Sequence, residues 1–247
     1  MSSAAISPTP DAPLSPVERV VDTFFAPSKT FNDLKRNQSW WVPWLLSSLL
    51  AMGFWVVVGQ KIGFDEITRN QIANSSRAAQ FEKLPPDQQE RQIEVSTKIF
   101  QYITYLGPIV GLIIIVIMAA VLMGTFNFGF GAEVPFKGAL AVVTYGGLPL
   151  CLMYVLGVIS LLAGLKPEGF NPQNPVATNP AYFMDMAGNK FLYGMASALD
   201  VLAIWSIILM GMGFSAQSKV KKGTAMVIVA CWYLFAKLIF AGLASLG

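Results

Sequence analysis

Asp200 and Lys237 are the residues of this chain best placed to do chemistry. Each lies inside a long apolar run, and apart from tyrosine and cysteine no other ionisable residue shares either run. A lone charge in hydrocarbon costs about 2.5–3.5 kcal/mol on insertion scales. Two opposite charges in separate spans are therefore expected to pair. Asp200 lies nine residues from the start of its run near Phe191, and Lys237 eight from the end of its own near Ser245. At about 1.5 Å per helical residue both reach a depth of about 12–14 Å. The short 214–222 connection makes the two helices antiparallel neighbours. Tyr154 falls at the same level and could add a phenol hydrogen bond. Tyr193, Ser197 and Asp200 are spaced by four and three, which makes a polar stripe on one continuous helix. Two chemistries fit: an ion pair that fixes helix register, or a station on a proton or ion path. One acid and one base neutralise each other and no further acid continues a path, so the structural reading is preferred.

Other chemistry finds no residues. The chain has no histidine, which removes H-E-x-x-H metal sites and Ser-His or Cys-His dyads. Cys151 and Cys231 fall in separate spans, and two isolated thiols cannot supply the four ligands of a zinc site. A two-aspartate membrane protease needs a second intramembrane aspartate. Gly129-Phe130-Gly131 is a lone G-x-G with no strand before it, a turn between spans. No catalytic residue, metal or cofactor is expected, and the chain reads as a non-enzyme.

The elements that position Asp200 and Lys237 follow from composition. The 247 residues are 54% hydrophobic and 13% charged, about half the charge of an ordinary soluble domain. The net charge of +3 forms no dense basic stripe, so nucleic acid is not a partner. The bilayer is. Five runs are long enough to span it: about 40–59, 102–125, 138–163, 191–213 and 223–245. The fold class is all-α, a polytopic bundle of five transmembrane helices with amphipathic surface helices and a helical extracytoplasmic segment. No signal-peptide cleavage site follows the first run, so that span is expected to remain as an anchor.

Residues 1–16 are rich in Ser, Pro and Ala and read as a disordered tail. Residues 17–39 read as cytoplasmic surface helices. Apolar residues at 17, 20, 21, 24 and 25 have helical spacing, Pro27 ends that helix, and Ser28 caps a second one presenting Phe31 and Leu34. Residues 40–247 form the five-span membrane domain. Within it, the polar 60–101 connection reads as two helices split at Pro85-Pro86, the second running unbroken into span two. Pro108 and Pro149 should bend spans two and three. Asn171-Pro172, Asn174-Pro175 and Asn179-Pro180 mark an irregular loop. Gly107-x-x-x-Gly111 allows close helix contact, expected within the monomer.

Lys35 and Arg36 flank span one, and Lys219, Lys221 and Lys222 join spans four and five. With five spans both sets share a side, which the positive-inside rule makes cytoplasmic. The N-terminus is then inside and the C-terminus outside. The three lysines face the anionic leaflet, where each gains about 1 kcal/mol. Their main role is to set topology, with anionic lipid as a partner.

Several segments in order resemble one family. They are FFAPSKTFNDLKR, Trp40-Trp41-Val42-Pro43 opening span one, Tyr145-Gly146-Gly147-Leu148-Pro149 in span three, and Leu199-Asp200-Val201-Leu202-Ala203-Ile204-Trp205-Ser206 in span four. Residues 15–247 thus resemble the bacterial branch of the Yip family, whose eukaryotic members interact with Rab/Ypt GTPases. The resemblance implies five spans, a bacterial inner-membrane location and a role in membrane organisation or trafficking through membrane or GTPase-type partners. The family's acidic DLYGP motif is absent. Tyr145, Gly146 and Pro149 match its Gly-Tyr-rich span and form a helix-kink motif.

Overall fold

A computed structural model describes residues 12–75, 77–164, 170–185 and 188–246. Most of the expected tail, and parts of the Asn-Pro loop, lie outside the described residues. Those described form helices and connecting turns, with no strand among them.

The chain enters through a helical hairpin, α1 (Pro16–Phe25) and α2 (Pro27–Asp33). Ser15 and Glu18 make a reciprocal capping box, Ser15 Oγ accepting from the Glu18 amide and the Glu18 carboxylate accepting from the Ser15 amide. Ser28 does not cap α2, contrary to the expectation from its position. Pro27 opens the helix instead, because a proline at the first helical position gives up an amide that has no partner there anyway.

Helix α3 (Trp41–Lys61) is the first long apolar helix. It is followed by α4 (Phe64–Ala73), the short α5 (Ala78–Phe81) and α6 (Pro86–Tyr105), where Pro86 and Asp87 occupy the first turn. Helix α6 does not run unbroken into the second span. It stops at Tyr105, and α7 (Gly107–Gly124) starts afresh with Pro108 in its first turn. The missing proline amide and the ring clash with the preceding turn account for the break. Helix α7 ends in a π-helical turn, Thr125–Gly129. Space around Gly107 and Gly111 is open, so they make no close contact within the chain.

The third span is α8 (Phe136–Gly146), a 3-10 turn over Leu148–Cys151, and α9 (Leu152–Leu162). The fourth is α10 (Lys190–Ala196), a 3-10 turn Ser197–Leu199, and α11 (Val201–Gln217), bent by 54°. The fifth is α12 (Lys222–Leu246). Among the described residues four helices are long and apolar enough to cross a membrane, and five are if the bent pair counts as one span.

Helix α8 is the axis of the bundle: every residue from Gly138 to Gly146 is buried. The outward faces of α7 and α12 carry exposed Ile109, Ile113, Ile117, Leu238 and Leu243, the surface a bilayer would cover. One apolar core lies around Phe31, Leu34, Phe126, Val142, Leu209 and Phe214. It occupies the half of the bundle that holds the Lys219–Lys222 turn, here called the lysine end. A second core around Phe54, Val58, Ile67, Leu161 and Phe170 lies at the opposite, loop end.

The α1–α2 hairpin packs lengthwise on α11. Phe24 meets Trp205 edge-on at 5.6 Å, while Phe31 lies so close to Gly213 that a Cβ there would come within 2.9 Å of its ring. These contacts are eight residues apart, about 12 Å of helix.

Candidate functional site

Asp200 does not sit within a continuous helix. Its backbone is extended (φ −76°, ψ 127°) and it is the N-cap of α11. Oδ1 accepts from the amides of Leu202 (2.8 Å) and Ala203 (3.0 Å). Oδ2 accepts from Thr178 Oγ1 (2.5 Å) and Asn179 Nδ2 (3.1 Å). The Val201 amide donates to the Thr178 carbonyl at 3.0 Å. Aspartate before an apolar run is a strong N-cap, and that preference breaks the expected Tyr193–Ser197–Asp200 stripe.

The break opens a cavity of about 520 Å³ between α10, α11, α12 and the Asn-Pro loop. Asp200 and Lys237 both line it, with Tyr193, Ser197, Asn174 and Asn179. The direct ion pair expected between the two charges is not formed: no salt bridge within 4.0 Å joins them. Four donors already engage the carboxylate. Lys237 Nζ instead donates to Ser197 Oγ at 3.2 Å and lies 5.8 Å from the Tyr233 ring centroid. Tyr233 in turn donates to the Ala198 carbonyl at 3.1 Å. Gly194 lets α10 approach α12, since a methyl group in place of its hydrogen would come within 2.7 Å of Ala241 Cβ.

The asparagines of the loop build the wall. Asn174 and Asn179 exchange side-chain hydrogen bonds at 3.2 and 2.8 Å. Asn171 and Asn174 both donate to the Tyr193 hydroxyl, at 3.1 and 3.2 Å. Tyr154 takes no part in the cavity wall. Leu150 and Met153 face the cavity, whereas Tyr154, one position on, turns to Phe54 at 5.5 Å in the loop-end core. Among the described residues no cluster of His, Cys, Asp or Glu could hold a metal ion.

A second charged site lies in the lysine-end half. Arg19 Nε meets Asp33 Oδ2 at 2.6 Å, and both side chains are 2% exposed. Asp33 Oδ1 also accepts from Arg36 Nη2 at 2.7 Å and from the Leu14 amide at 3.4 Å. Burial alone would raise the Asp33 carboxyl. The Arg19 hydrogen bond, the Leu14 amide, the Arg19 charge and Arg36 outweigh it and hold the group below its ordinary value. Thr23 and Thr30 hydroxyls both donate to the Arg19 carbonyl, at 2.7 and 3.1 Å, tying α1 to α2. Tyr145 is buried beside Arg19, its hydroxyl without a hydrogen bond of good geometry. Gly146 packs against Met210 and Pro149 opens the 3-10 turn.

The motifs seen in the sequence fall on the hairpin, the start of α3, the broken third span and the bent fourth span, and the Yip1 domain family model matches residues 21–244. The chain belongs to the Yip1 family. No curated protein and no solved structure matches it. As a Yip1-family protein it is an integral, multi-pass helical bundle. Lys219, Lys221 and Lys222 are exposed at the α11–α12 turn.

Sequence reasoning missed Asn174, Thr178 and Asn179, although three Asn-Pro pairs in one loop were a visible signal. It missed Arg19 and Asp33 because charges at helical positions beside apolar ones read as a solvated face.

Proposed function

We propose that this Yip1-family protein is non-enzymatic and acts in membrane organisation or trafficking through protein or lipid partners. It sits in the bacterial cytoplasmic membrane, N-terminus inside and C-terminus outside. The observation that carries the reading is an exposed apolar edge on α1, opposite its buried Arg19 and Thr23. Its Arg19 and Thr23 are buried, while Val17, Val21 and Phe25 are 71%, 48% and 83% exposed. These three are spaced by four and form one edge. Glu18 and Asp22 follow on the adjacent arc. The exposed apolar edge suits the boundary between acyl chains and headgroups, or an apolar partner surface, and Asp22 on the adjacent arc is paired with Lys29 at 3.5 Å. The exposed lysines at 219, 221 and 222 lie at the same end of the bundle and suit an anionic leaflet.

The eukaryotic DLYGP motif is absent, so the membrane surface ranks ahead of a GTPase as the α1 partner. Transport through the Asp200–Lys237 level is disfavoured by the packing beneath it. Toward the lysine end, the buried residues of α11 are Leu209, Met210, Gly211, Gly213 and Phe214 after Ser206, an apolar plug.

The test is crosslinking with affinity purification in native membranes, comparing the natural chain with Val17→Asp/Val21→Asp/Phe25→Asp. Loss of crosslinked partners or lipid, with melting unchanged, is expected. An unchanged profile would remove α1 as the acting surface. Cysteine-accessibility mapping at the two ends, in a background lacking Cys151 and Cys231, should label them from opposite sides. Labelling from one side would overturn the topology.

A further inference from the structure

We infer that the loop-end cavity is a binding site for the phosphate-bearing headgroup of an anionic phospholipid. Lys237 is the residue that recognises the phosphate. The inference is independent of what α1 contacts at the other end.

Charge inside the cavity is not balanced where it matters. Each Asp200 oxygen already accepts two hydrogen bonds, and its charge is offset by the N-terminus of α11. The ammonium of Lys237 has three donors and one hydrogen-bond acceptor, Ser197 Oγ. Lys190 lines the same cavity. Two cations therefore face one carboxylate whose acceptor sites are occupied. The unused donors call for an anion that brings several oxygens, which a phosphate does.

The cavity's shape selects a lipid over a soluble anion. Beyond the polar side chains of the loop end, Asn74 and Gln173 among them, its wall is apolar and includes Leu150, Met153, Leu202 and Phe240. Leu150 and Phe240 are 43% and 70% exposed on spans three and five, so the cavity opens sideways onto the surface a bilayer covers. About 520 Å³ is within the usual range for ligand pockets of roughly 300–1,000 Å³. It takes a headgroup and the start of the chains, with the tails lying outside along α12. Hydrogen bonds between Asn174 and Asn179 and from the α11 amides to Asp200 fix the cavity wall, which lowers the ordering cost of binding.

Native mass spectrometry of the detergent-solubilised protein tests this, with phosphatidylglycerol, phosphatidylcholine and inorganic phosphate offered separately. One phosphatidylglycerol retained in preference to phosphatidylcholine is expected. Lys237→Met should weaken that retention about tenfold, one decade in Kd, and Lys237→Arg should restore most of it. Lys219→Gln/Lys221→Gln/Lys222→Gln should leave it in place. If Lys237→Met does not fold, Ala244→Phe, which fills the cavity mouth, should exclude the lipid instead. Equal retention of both lipids, retention unaffected by Lys237→Met or Ala244→Phe, or loss only in the triple lysine variant would each overturn the site. Binding of inorganic phosphate without preference for the lipid would overturn the lipid assignment.

Discussion

Arg19–Asp33 and Asp200–Lys237 each bring one acid and one base into the bundle, and the protein treats them in opposite ways. At the lysine end the two charges touch, at 2.6 Å and 2% exposure, inside an apolar core. Arg36 and the Leu14 amide join its carboxylate, and Thr23 and Thr30 hold the Arg19 carbonyl. At the loop end the two charges share a cavity without touching, each with other partners. A closed, mutually satisfied pair spends its electrostatics on holding two helices together. An open one, with its acid capped and its base left with spare donors, has capacity for something from outside. Burial of charge alone therefore does not mark a working site; spare hydrogen-bonding capacity beside a cavity does.

The largest expected effect is at the closed pair. Arg19→Met or Asp33→Asn strands a buried partner and should cost about 3–5 kcal/mol, read as a lower melting temperature or aggregation on size-exclusion in detergent. Melting changed by only a degree or two would mean the hairpin is dispensable to the bundle. The same pair should govern acid sensitivity. The folded Asp33 carboxyl titrates below its unfolded value, so its contribution is full above the unfolded pKa and is lost as pH falls through the folded one. Melting temperature should drop steeply below about pH 4, and Asp33→Asn should flatten that limb. An identical acid limb in the variant would assign it to other carboxylates.

At the open site the effects should be smaller. Asp200→Ala removes the α11 cap and should cost about 1–2 kcal/mol. Asp200→Asn should cost less, since asparagine caps nearly as well, though its amide would oppose Asn179. Equal losses from the two changes would show that charge, not capping, is what counts there. Smallest of all, Lys237→Met should change melting by less than about 1 kcal/mol in lipid-free detergent, because no carboxylate depends on it.

The course of the chain was largely legible. Uninterrupted apolar runs gave the spans, because a helix must cross about 30 Å of hydrocarbon, and Pro86 announced the start of α6. Breaks were harder to read. Asp200 counted as an intramembrane charge when its type and its position before Val201 also spelled a helix start, and choosing between those needs the Thr178 and Asn179 contacts that only the folded loop supplies. Tyr154 was placed by depth alone, and depth without rotation about the helix axis put it on the wrong face. Arg19 and Asp33 lie in polar-looking stretches, where nothing in the spacing says that these two side chains turn inward and Val17, Val21 and Phe25 turn out. That orientation depends on what α1 packs against, which is α2, α8 and the 3-10 turn of span three, while Gly213 lets Phe31 of α2 seat on α11.

A pair of double-mutant cycles, run on both sites by thermal unfolding in the same detergent, tests the contrast most directly. Arg19→Met with Asp33→Asn should show a coupling of about 2 kcal/mol or more, the double variant recovering part of the loss of either single one. Asp200→Ala with Lys237→Met should be additive to within about 0.5 kcal/mol. Strong coupling between Asp200 and Lys237, or simple additivity between Arg19 and Asp33, would contradict the account.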